Sequence, residues 1–381
     1  MSYLRSVGNF RFGPDVRNSM PAPGLVSRAA LASMFAIAAL VPRAAAQSAC
    51  ALAAADRAWI EGLLSTWDRA SREALQLDAA PLPWIVLFDA SCVWHVNSAP
   101  AAPPPQAVPD VDLTFANRAL SVRGLVHAGA IRLPDERDIP PRPMAFAATY
   151  GEPQQPFLVM AMPSLWRAEP RHAADPRLES LLHAVFAHEM AHTRQAEGIG
   201  QRLDALQHRF ALPDDLDDNV VQRAFGDRPG FQDAYERERD LLYRAAQERN
   251  ARSRRLLVAD AAAAMQSRRS RYFCGADAIY AEFEDLFLWM EGLGQWTAYR
   301  VAAAEGLGDV EALAFTRRDG KYWSQDEGLA LFLVLDAMVP AWRSEVLEAP
   351  PASIPQLLAD AARLQPHFAF ESSCQTANEF P

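Results

Sequence analysis

His188, Glu189 and His192 fall inside residues 176–197, where apolar side chains recur at helical spacing. On a helix, side chains four residues apart leave one face a turn apart, so His188 and His192 can reach one metal ion together. Glu189 stands about 100° round the helix from His188 and cannot easily bind the same ion. It can reach a water held there, and the H-E-x-x-H pattern assigns that glutamate the role of general base. By chance such a pattern arises in roughly one chain per hundred of this length. The competing reading is a buried histidine pair packed on the core. Asp175 can cap this helix, Pro176 suits its first position, and Gly198 and Gly200 can end it.

Two imidazoles leave a zinc ion under-ligated, so a third protein ligand is required. Thr193-Arg194-Gln195-Ala196-Glu197-Gly198 follows the motif, which excludes an H-x-x-G-x-x-H continuation. The best candidate is Glu291, in the helical stretch Leu288-Trp289-Met290-Glu291-Gly292-Leu293-Gly294-Gln295-Trp296. Gly294 and Ala298 share its face and would let two helices approach closely. Glu284, two turns earlier, is the runner-up, whereas Glu282 and Asp285 point elsewhere. The alternative for Glu291 is an ordinary surface carboxylate on an amphipathic helix.

His188-Glu189-x-x-His192 followed by Trp289-Met290-Glu291-Gly292 resembles the gluzincin metallopeptidases, among them thermolysin-like proteases and zinc aminopeptidases. The resemblance covers the two motif helices. It implies a zincin-like fold, Zn2+ as cofactor, His188, His192 and Glu291 as metal ligands, Glu189 as general base and a peptide or protein as substrate. The gap from His192 to Glu291 is far longer than in those two groups, and no G-x-M-E-N element precedes the motif. Endo- and exopeptidase action therefore both stay open. Such folds also set an edge strand beside the active-site helix, and residues 157–162 suit either that strand or an interior one. A further donor to the developing oxyanion is expected. Tyr322 is the first candidate, in a polar break between helices, with Tyr299 and His367 as alternatives. His183 lies off the ligand face, and His95, His127, His172 and His208 have no partner at metal spacing. An inactive zincin-like scaffold that binds a partner in the cell envelope is the competing class, motivated by the charged stretch 193–271.

The 381 residues suffice for a large core or two subdomains sharing a cleft. Residues 1–46 read as a secretory signal: Arg28, a short apolar run over 29–41, then Ala44-Ala45-Ala46. The run is too short to span a bilayer, so the mature chain is expected in the periplasm or outside the cell, with no membrane span. Met20 is an alternative start. Cleavage near Ala46 removes five arginines and Asp15 and takes the net charge from −10 to −14. That balance gives no electrostatic reason to bind nucleic acid. Cys50, Cys92, Cys274 and Cys374 allow two disulfides in three pairings.

The mature chain reads as α+β and predominantly helical. Residues 47–175 form a strand-containing part with a helix over 52–76, strands over 84–88, 92–96, 121–131, 144–149 and 157–162, and a proline-rich loop over 100–109. Residues 176–381 are helical. They carry the motif helix, a charged helical hairpin with solvated faces over 193–271, the third-ligand helix over 277–304 and a helix over 326–347.

Overall fold

The structure, a computed structural model, describes residues 50–77, 82–97, 111–115, 118–210, 216–348, 350 and 352–362. The expected signal segment, the proline-rich stretch, His367 and Cys374 lie outside the described residues. The first helix, α1 (Ala54–Arg69), buries Trp59, Ile60, Leu63, Leu64 and Trp67, the apolar stripe legible in its spacing. A π turn, Ala70–Ala74, extends it. Of the three cysteine pairings left open, Cys50–Cys92 forms, fastening the start of this region to the sheet. Cys274 donates its thiol to the Ser270 carbonyl at 3.2 Å.

Strands β1 (Trp84–Phe88) and β2 (Cys92–Val96) form the expected hairpin. Its turn is held by Asp89, whose Oδ1 accepts from the backbone N–H groups of Ser91 and Cys92 at 2.8 and 2.7 Å. β3 (Val111–Phe115) had no counterpart in the sequence reading, and β4 (Arg118–Val126) ends well before the predicted 131. A short ribbon, β5 (Ile131–Arg132) with β6 (Asp138–Ile139), takes up the residues beyond. β7 (Ala145–Tyr150) and β8 (Gln155–Ala161) complete a six-stranded sheet of order β3-β4-β2-β1-β8-β7. β1 and β8 run parallel; every other neighbouring pair is antiparallel. Residues 157–161 therefore belong to an interior strand, and the edge on this side falls to β7. Unbroken burial from Phe157 to Ala161 is the physical mark of that interior place.

After α2 (Pro163–Arg167) comes the motif helix, α3 (Leu178–Gln195), which packs on β7 and β8 with one side and on a later helix with the other. Asp175 accepts from the Arg177 backbone N–H at 2.9 Å, just ahead of the first turn. Gly198 and Gly200 do not end the helical path. They lie in a π turn, Ala196–Gly200, that leads into α4 (Gln201–Phe210). Gly198 instead permits contact, since a Cβ there would stand 2.7 Å from the Leu347 carbonyl.

The charged stretch is no simple hairpin. It holds α4, α5 (Val220–Phe225), α6 (Phe231–Gln247) and α7 (Ala251–Tyr272), the last capped by Asn250. Its arginines are not all solvated, as the sequence reading had them: Arg268 is 2% exposed and Arg269 6%. Arg268 pairs with Glu238 and, at 2.9 Å, with Glu284; Arg269 reaches Glu284 at 2.7 Å and Asp285 at 2.8 Å.

α8 (Tyr280–Ala302) is buried along almost its whole length from Phe283 to Ala302 and forms the axis of the helical part. It packs on α3, on α9 (Gly308–Arg317) and on α10 (Trp323–Met338). The crossing with α10 is set by two glycines, because a Cβ on Gly292 would meet the Gly328 carbonyl at 2.6 Å. α10 stops short of Pro340, so the helix predicted to run to 347 is shorter, and a final helix α11 (Ile354–Ala361) follows. Among the described residues no helix is long and apolar enough to cross a membrane. That fact and the disulfide are compatible with export.

Candidate metal centre

α3 presents His188 and His192 towards α8, and α8 returns Glu291 between them. The approach is close because Gly294 faces His188: a Cβ there would lie 2.7 Å from the imidazole. His188 Nε2 and His192 Nε2 are 2.9 Å apart. Glu291 Oε2 lies 3.5 Å from His188 Nε2, and Oε1 lies 3.5 Å from His192 Nε2. A tetrahedral zinc with bonds of about 2.0–2.1 Å sets its ligand atoms about 3.3 Å apart, and these separations straddle that figure. Among the described residues, His188, His192 and Glu291 form the one such group able to hold a metal ion.

The donor chemistry fits as well. His192 Nδ1 is hydrogen-bonded to Gln195 Oε1 at 3.0 Å. An amide oxygen accepts only, so Nδ1 carries the proton and Nε2 keeps its lone pair for an ion. The Gly294 backbone lies against the His188 ring. Burial pushes His188 down to about 3 and His192 to about 4, so both rings are neutral at physiological pH, the form that binds metal. Both Glu291 carboxylate oxygens are buried without a geometric hydrogen bond, which a cation would relieve. We expect Gly294→Ala to weaken metal binding roughly 10–100-fold by displacing the His188 ring. Titration against a chromophoric chelator checks this, and unchanged affinity would show that the ring has room to yield.

Glu189 is fully buried on the sheet side of the centre. Burial raises its carboxyl well above the usual range, the nearby Glu291 adds to that, and the Ala147 backbone of edge strand β7 opposes it. The void beside His192, lined by Ala147, Ala148, Thr193 and Met290 among others, holds only about 10 Å³. A second group of polar residues covers the centre. Gln295, one turn beyond Glu291, donates to Gln325 Oε1 at 2.8 Å, and Gln325 donates to Asp218 Oδ2 at 3.3 Å. Arg318 also donates to Gln325 Oε1, at 3.2 Å. Gln195 and Gln295 were within reach of sequence reasoning, since they stand three and four residues from a ligand on the same face. Asp218 and Arg318 come from separate segments and carried no such signal.

Of the other candidates, Tyr322 lies with its ring 4.3 Å from the Arg318 guanidinium. Tyr299 is half-buried, and its hydroxyl is engaged with Asp309. Glu284 is committed to Arg268 and Arg269. His183 contacts Glu305 at 3.4 Å, His95 accepts from Trp84 Nε1 at 3.0 Å, His127 meets the Asp89 carbonyl at 3.1 Å, and His172 lies edge-on to Trp166. His208 is exposed.

The chain matches no protein-family model, no curated protein and no solved structure. A buried His188–His192–Glu291 group able to bind a metal, with a buried glutamate beside it, is therefore what function must be argued from.

Proposed function

We propose that the chain is an exported zinc-dependent metallopeptidase of gluzincin type, with a zincin-like arrangement of sheet, motif helix and third-ligand helix. The observation that carries this reading is the convergence of His188, His192 and Glu291 across two helices 99 residues apart in sequence, with Glu189 adjoining them. His188, His192 and Glu291 would hold the ion. When bound, zinc supplies Lewis acidity that lowers the pKa of water and polarises a carbonyl.

Glu189 takes a proton from the attacking water as its oxygen bonds to the peptide carbonyl carbon. As the C–N bond breaks, the same carboxyl returns the proton to the departing nitrogen. Edge strand β7, whose Ala147 backbone faces Glu189, is the segment to align an extended peptide.

A second reading, a catalytically silent zincin-like scaffold of the envelope, is favoured by one observation. His188, Glu189 and Glu291 are fully buried and His192 is 4% exposed, so substrate needs the covering residues to move. Metal analysis of the mature protein together with peptide-library cleavage separates the two. We expect about one zinc per chain, cleavage lost on chelation, and recovery on adding zinc. A zinc-loaded chain that cleaves no peptide would overturn the peptidase reading in favour of the scaffold.

A further inference from the structure

Addition of water to a peptide carbonyl forms a C–O bond and moves the π pair onto the carbonyl oxygen. That oxygen becomes anionic in a site already crowded with carboxyl groups. Glu189, Glu291 and Asp218 are all buried there, with Asp217 acting on Glu291 from nearby. A positioned cation would stabilise the new charge most where water is excluded. Arg318 is such a cation: its charge acts on Glu189, Glu291, Asp218 and His188 alike. It is half-buried and is held beside the centre through Gln325, which also bonds Gln295 and Asp218.

The backbone is built around this placement. Arg318 has φ +50° and Asp319 φ +56°, a left-handed pair of non-glycine residues, followed by Gly320 at +70°. Such conformations are uncommon and persist where the surroundings over-determine them. Here Arg317 pairs with Asp326 at 3.0 Å, and Gln222 donates to the Lys321 carbonyl at 3.1 Å, pinning the turn on both sides. The guanidinium is oriented by Gln325 Oε1 at 3.2 Å and by the Tyr322 ring. Gln325 in turn bonds Gln295, one turn from Glu291, so the cation is tied to the ligand helix.

We infer that Arg318 is a catalytic residue of the proposed peptide hydrolysis, donating N–H groups to the scissile carbonyl oxygen as its charge develops. Tyr322, the donor suggested by sequence, becomes a positioning residue whose ring lies against the guanidinium. This inference rests on the peptidase reading. The test uses a peptide found by library cleavage and its phosphinic counterpart, which mimics the tetrahedral state. Arg318→Met should keep its zinc, lose roughly 10²–10³-fold in kcat with little change in KM, and lose phosphinic-peptide affinity by a similar factor. Arg318→Lys should recover part of both losses. Affinity for the uncleaved peptide, measured in a Glu189→Gln background to prevent turnover, should barely change on adding Arg318→Met. Equal losses for the peptide and its phosphinic counterpart, loss of zinc, or wild-type kinetics in Arg318→Met would each overturn the assignment. If the wild-type chain itself neither cleaves peptides nor binds the phosphinic compound, the peptidase reading and this inference both fall. A wild type that does both, with Arg318→Met unaffected, overturns the role of Arg318 alone.

Discussion

Glu189→Gln is expected to bind metal as the wild type does and to hydrolyse peptides roughly 10²–10⁴-fold more slowly. The amide preserves the shape and volume of a fully buried side chain, so the packing of α3 against β7 and α8 should survive. It cannot take up a proton, which is the task the geometry leaves to this position. Glu189 adjoins His188 in sequence, lies beside Glu291 in space and faces the Ala147 backbone, yet stays outside the group able to bind the ion. Metal content by mass spectrometry and kcat on a cleaved peptide decide the matter. Full activity in this variant would remove Glu189 from the mechanism, and loss of metal would assign it a structural part.

Arg268→Ala should destabilise the fold by about 3–5 kcal/mol, the usual cost of leaving buried charges without their counterion. Arg268 is the hinge of a network joining α6, α7 and α8: its guanidinium meets Glu238 and Glu284, and the charge also acts on Glu327. Glu238 and Glu327 are fully buried and Glu284 is 5% exposed, so water can replace the lost cation only by opening the helices. Because α8 also carries Glu291, the strain would reach the metal centre, and metal affinity should fall along with the urea midpoint. A loss below about 1 kcal/mol would mean that water enters and screens the carboxylates, as at exposed pairs.

The contrast between this network and the metal centre shows where sequence reading works. His188, Glu189 and His192 were legible because helical periodicity alone fixes which side chains share a face. Glu291 was legible for a related reason, since Gly294 and Ala298 on its face announced a close helix contact, and Gly294 does lie against the His188 ring. Strands 84–88 and 92–96 were equally plain, with β-rich runs flanking an aspartate that organises its own turn. The arginines at 268 and 269 misled. A run of arginines among acidic residues has the composition of a solvated helix face, and nothing local reveals that Glu238, Glu284 and Asp285 arrive from other helices to neutralise it.

The place of residues 157–162 in the sheet stayed open between edge and interior for a similar reason. An apolar run has the same spacing at the edge of a sheet as in its middle, and only pairing with both β1 and β7 made β8 interior. β7 took the edge and with it the place beside Glu189. Arg318 had no local signal at all, because a left-handed turn brings its guanidinium to Gln325, and its charge acts on groups from three separate segments.

The sequence by itself determined the chemistry on offer: two imidazoles and a glutamate in register on one helix, a second glutamate on a helix able to come close, and the periodicities that make those helices. Only the tertiary structure decided that Glu291 rather than Glu284 joins the histidines, that the centre is sealed from solvent, and that Asp218, Gln325 and Arg318 surround it. Periodicity is a property of neighbours a few residues apart. Desolvation and ion pairing depend on which surfaces meet, and the folded chain sets those contacts across separations of a hundred residues.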